Sequence, residues 1–101
     1  MTPEMLNRHS HGKSIDWYGL GVLIYECIVS IPPYFSADEE RLHRNIVEAP
    51  LKLPAELFSR ECEDLVRKLL RRHPLERLGA THGFEEIRQH PWFAGVDWNA
   101  V

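Results

Sequence analysis

"SIDWYGLGVLIYECIVSIPPYF", residues 14–35, decides how this chain folds. Positions 15–29 are apolar on almost every helical face, so a helix here is built for burial all round and not along a single stripe. Ser14 is the expected N-cap, and Pro32 and Pro33 cannot continue the helix, so residues 30–35 read as a stop and a turn. Two features of this helix need a reason. Gly19 and Gly21 each cost about 1 kcal/mol against alanine, which close approach of neighbouring backbone would justify. Acids also stand at both ends. Asp16 suits the first turn, where the macrodipole favours negative charge, whereas Glu26 lies in the last turn, where the dipole opposes it.

Downstream, the pattern stays helical. Ser36 and Glu39 have the spacing of a capping box, Asp38 and Glu40 add charge to that first turn, and Leu42, Ile46 and Val47 follow as a narrow apolar stripe. An extended "APLKLPAELF", 49–58, leads to a third helix over about 59–70 with Leu65, Val66, Leu69 and Leu70 on one face. After "RRHPLERLGATHG", 71–83, a short fourth helix near 84–89 stops before Pro91, leaving Trp92, Phe93 and Trp98 to pack the terminus. No stretch has the alternation of a strand. The expected fold is all-α, a small orthogonal helical assembly around the 15–29 helix.

Composition narrows the function classes. The chain has 101 residues, 44% hydrophobic and 27% charged, which fits one globular domain, and no segment approaches a membrane span. The start, MTPEMLNRHSHGKS, lacks the pattern of a signal or transit peptide, so an intracellular, cytoplasmic protein is expected. Cys27 and Cys62 form no paired motif and read as reduced core thiols. The six histidines lack metal-ligand spacing, so no metal is expected. A net charge of −3 argues against a nucleic-acid partner. The basic run Arg67, Lys68, Arg71, Arg72 and Arg77 reads as a solvated helix end in preference to a phosphate site.

Five motifs stand in a familiar order: "TPE" at 2–4, "DWYGLGVLIYE" at 16–26, "PPYF" at 32–35, "HPLERLG" at 73–79 and "EEIRQHPWFAGVDW" at 85–98. Together they resemble the later half of the C-terminal lobe of eukaryotic protein kinases, from the A-P-E motif through helices F to I. The tail resembles the AGC serine/threonine group. The resemblance covers the whole chain and implies a parent reaction in which the ATP γ-phosphoryl group passes to a protein Ser or Thr.

It also assigns roles. The 15–29 helix corresponds to helix F, which carries the catalytic loop and substrate-binding elements. Glu4 corresponds to the A-P-E glutamate, expected to clasp Arg77, and Thr2 departs from the alanine usual there. Asp16 would support the catalytic loop, and Glu26 would contact a substrate arginine. Ser30 replaces a glycine, so its turn is expected to be altered.

The kinase phosphate loop, the strand lysine, H-R-D and D-F-G have no counterpart in the sequence. "Gly19-Leu-Gly21" has Ile24 where a third glycine would stand. The chain therefore reads as a kinase-domain fragment with no catalytic residue and no cofactor site of its own, ATP and magnesium belonging to the complete domain. Its expected partner is a protein substrate or the remainder of the domain, with no nucleic acid and no membrane. The rival reading is a pseudokinase remnant acting as a non-catalytic protein-binding module; a weaker one is an independent helical domain.

Overall fold

A computed structural model describes residues 14–98, in which no strand is present. The elements are α1 (Ser14–Val29), α2 (Glu39–Glu48), α3 (Arg60–Leu69), a 3-10 turn (Pro74–Glu76), α4 (Phe84–Arg88) and a second 3-10 turn (Pro91–Phe93). The all-α expectation holds. The anticipated Ser14 cap lies outside the described side chains, as does Glu4.

The core is built where α1 crosses α3. Leu65, Val66, Leu69 and Leu70 are all buried, as the spacing on the third helix requires, and they divide between two clusters. Val66, Leu70 and Cys62 join Tyr18, Tyr25, Leu53 and Phe58; Leu65 and Leu69 join Ile87, with Trp17, Leu20 and Phe93 packed against them. The crossing is close because Gly21 has no side chain: a Cβ there would lie 2.9 Å from the Leu69 Cβ and 3.0 Å from Leu70. Gly19 has no such reason, since its Cβ would meet open space.

That difference marks a correction. α1 is not buried on every side: Asp16, Gly19, Leu23, Glu26 and Cys27 are exposed. At about 100° per residue these positions fall within one stripe roughly 100° wide. Cys27 is therefore no core thiol. Cys62 is, and burial raises its pKa.

Capping fixes the other helices. Ser59 Oγ accepts from the Cys62 N–H at 3.1 Å, while Glu61 and Glu63 open α3 and Arg67 and Lys68 close it, all in the sense the dipole favours. For α2 the expected Ser36–Glu39 box does not form. Asp38 is the N-cap, accepting from the Glu40 N–H at 3.1 Å, and Ser36 Oγ accepts from the Asp38 N–H one turn earlier. A charged carboxylate is the stronger acceptor, so the helix starts after it.

The terminal part hangs on two side chains. Glu86 Oε1 accepts from the Gly79 N–H at 2.8 Å and so ties the 79–83 loop to α4. Gly79 has φ 96, and a Cβ there would lie 2.7 Å from Trp17, so glycine is required on both counts. His90 Nδ1 accepts from the Trp92 N–H at 3.0 Å, capping the second 3-10 turn. Its Nε2 lies 2.7 Å from Asp64 Oδ2, where an Nε2–H donates to the carboxylate. Beyond it, Trp98 packs edge-on to Phe84 and tilted against Phe93, both at 5.3 Å, as the aromatic composition of the terminus suggests.

Candidate functional site

Of the predicted site residues, Asp16 and Glu26 occupy the two ends of α1, and Arg77 closes the first 3-10 turn. Asp16 and Glu26 stand ten residues apart on the exposed stripe of α1, about 15 Å along the axis at 1.5 Å per residue. Neither carboxylate bonds to any described residue. Asp16 is a first-turn acid in a favourable dipole, so its position needs no partner. Glu26 has no such compensation, although its backbone carbonyl accepts from the Ser30 N–H at 2.8 Å as the helix ends.

The turn that follows is strained. Ser30 (φ 78) and Tyr34 (φ 64) both adopt left-handed geometry, at about 1–2 kcal/mol each for a non-glycine residue. The turn expected to be altered by the serine at position 30 is thus made with the serine in the unfavourable conformation. Tyr34 is held in place by two contacts. Its carbonyl accepts from Asn45 Nδ2 at 3.2 Å, and the Arg72 guanidinium lies 5.0 Å from its ring centroid. Ile31 and Phe35, beside it, remain exposed.

Arg77 is the most buried charged side chain described, at 1% exposure. Its Nε donates to the Arg71 carbonyl at 2.9 Å and its Nη2 to the Arg72 carbonyl at 3.2 Å, and the guanidinium lies 4.8 Å from the Tyr18 ring centroid. The clasp expected between Arg77 and Glu4 falls outside the described residues on the Glu4 side. Arg72 is the residue that sequence reasoning missed. It does not extend into solvent as part of a basic run: its Nε donates to the Ile46 carbonyl at 2.7 Å and its Nη2 to the carbonyls of Asn45 and Ala49. The Ile46 and Ala49 carbonyls are otherwise orphan acceptors at the end of α2, and the Asn45 carbonyl already takes the Ala49 N–H, so Arg72 caps a helix on which it does not lie. The available signal was the lack of any basic residue in the last turn of α2.

The described residues do not fit ATP–magnesium. Gly19 and Gly21 lie inside a helix, where their N–H groups are committed to the helix and cannot cradle a phosphate. Among the described residues no group of three His, Cys, Asp or Glu side chains could hold a metal ion. None of the described helices is long and apolar enough to cross a membrane.

A family model described as protein kinase domain matches residues 1–93. Protein kinase 2 of Dictyostelium discoideum is 41% identical over 101 residues, covering all of this chain and 21% of the relative. Serine/threonine-protein kinase YPK1 of Saccharomyces cerevisiae is 40% identical over 101 residues, covering 15% of that protein. Ribosomal protein S6 kinase alpha-2 of Mus musculus is 40% identical over 102 residues, covering 14%. The chain thus spans about a fifth or less of the length of these relatives. From the match over nearly its whole length, the chain belongs to the protein kinase domain family, in its AGC serine/threonine group.

Proposed function

We propose that this chain supplies the C-lobe scaffold and part of the substrate-docking surface of an AGC-like serine/threonine protein kinase, and that the ATP site and catalytic loop belong to residues beyond it. The observation carrying the reading is Glu26, an exposed carboxylate at the disfavoured end of α1, next to a strained turn and unpaired among the described residues. An arginine from a substrate supplies the missing partner, since a guanidinium binds a carboxylate bidentately. Asp16, at the opposite end of the same stripe, supports the catalytic loop in the complete domain. Glu4 clasps the buried Arg77 and ties the start of the chain to the segment that follows α3. Cofactors follow the same division: ATP and magnesium are used by the complete domain, whose working place is intracellular.

A second reading is favoured by Leu23, which is 58% exposed in the middle of that stripe. A non-catalytic remnant would use this apolar face to hold a partner protein. Calorimetric titration of the 101-residue chain with ATP–magnesium tests the division of labour. No saturable heat is expected; magnesium-dependent micromolar binding would contradict it. Activity of a domain restored with an upstream lobe then separates the readings, because a remnant stays inactive when completed.

A further inference from the structure

Arg67, Arg71 and Arg72 of the basic run line an open groove of about 470 Å3 between the end of α3 and the turn before α2. Leu51 and Leu70 give it an apolar floor, Arg67, Arg71 and His73 a basic rim, and Tyr34 one wall. The chain as a whole is acidic, at −3, so this positive field is local.

The guanidiniums on the rim are lightly committed. Of five N–H donors each, Arg67 gives its Nε to Glu63 at 3.1 Å and Arg71 gives Nη1 to the Glu76 carbonyl at 3.0 Å. Both side chains are exposed. His73 Nδ1 accepts from the Leu75 N–H at 3.2 Å, which leaves Nε2 for an outside partner. Arg72 is occupied by the α2 carbonyls and serves as the support behind Tyr34. Burial raises the Tyr34 pKa, and Arg72 and Arg67 pull it back, so positive potential reaches the groove wall.

We propose that this groove docks a peptide carrying phosphoserine or phosphothreonine, with the phosphate between Arg67 and Arg71 and a neighbouring apolar residue on Leu51 and Leu70. A phosphomonoester brings close to two charges and three acceptor oxygens, which suits two separate guanidiniums better than the single charge of a carboxylate. Clusters of arginine beside an apolar surface recur in phosphopeptide recognition. Glu76, on the same rim, opposes the ligand and tunes its affinity downward. The inference is independent of phosphoryl transfer and of Glu26.

Fluorescence anisotropy of the 101-residue chain with one labelled leucine-containing peptide, in phosphoserine, serine and glutamate forms, tests it. The phosphoserine form is expected to bind saturably, roughly tenfold or more tighter than the other two, and to weaken as salt is raised. Arg67→Ala with Arg71→Ala should remove that preference, and Glu76→Gln should strengthen binding. If the double variant loses its helical circular dichroism, the single Glu76→Gln variant decides: tighter binding supports the site, and unchanged affinity overturns it. Equal binding of the phosphoserine and serine forms, a preference that survives the double variant, or binding only to anionic lipid vesicles would also overturn it.

Discussion

The Arg77 guanidinium lies 4.8 Å from the centroid of the Tyr18 ring, and both side chains are 1% exposed. This contact joins the chain beyond α3 to the first half of α1, through a ring that belongs to the cluster of Tyr25, Val66 and Leu70. A buried cation is costly unless its donors are satisfied, and the Arg71 and Arg72 carbonyls meet part of that need.

Arg77→Ala is therefore expected to cost about 3–5 kcal/mol, the scale of breaking a buried charged network. Urea denaturation followed by circular dichroism measures it. Under the proposed clasp, Glu4→Ala carries a similar cost; a loss of no more than about 0–1 kcal/mol, as for an exposed pair, would remove Glu4 from the network.

Arg72→Met should loosen α2 more than the rest of the molecule. Its methylene-like stem is retained, but the carbonyls of Ile46 and Ala49 lose their donor, at about 1.5–3 kcal/mol for bonds to a charged group, while that of Asn45 keeps the Ala49 N–H. Hydrogen exchange should accelerate in the last turn of α2 while α3 stays protected. Uniform acceleration would mean that Arg72 is no local cap.

Ser30→Gly should stabilise the chain by about 1 kcal/mol, because glycine adopts φ 78 without the Cβ penalty. The gain is reduced by the greater entropy of glycine in the unfolded state. A thermal melt of the two proteins measures the difference. A lower midpoint for the glycine variant would show that Ser30 contributes a contact worth more than its strain.

Asp64 sets an acid limit. Hydrogen bonds from Lys68 and from His90 lower its pKa below the usual carboxylate value, against a small opposing effect of burial. A depressed folded pKa gives stability that is present above about pH 4 and lost as pH falls through the folded value. The carboxylate is 48% exposed, so solvent screening keeps the effect modest. Asp64→Asn should flatten the acid limb of stability against pH, read as urea midpoints across the acid range, and an unchanged limb would assign acid sensitivity elsewhere.

The helices were legible because apolar spacing writes them directly. Leu65, Val66, Leu69 and Leu70 name the buried face of α3, and the prolines at 32 and 33 end α1. Exposure was less legible. An apolar helix looks buried all round, but Leu23 and Cys27 face solvent because no described element lies over that side. Contacts between distant parts were least legible. Arg72 and Ile46 are 26 residues apart, and nothing in either local pattern announces that a basic residue after α3 closes α2. Capping failed for a different reason, as two acceptors, Ser36 and Asp38, competed for one helix start. The site residues Asp16 and Glu26 came from motif position, and physics alone singled out only Glu26, as an acid at the wrong end of a dipole.

Glu26 also gives the most direct check of substrate docking. Peptide-array phosphorylation by a complete kinase domain built around this chain would be compared with that by its Glu26→Gln form. The expected result is a marked preference for arginine shortly before the phosphorylated residue, weakened on the order of tenfold by the substitution, as loss of a charge-assisted hydrogen bond of ~1.5 kcal/mol requires. An arginine preference unchanged by Glu26→Gln, with the overall rate intact, would contradict the reading.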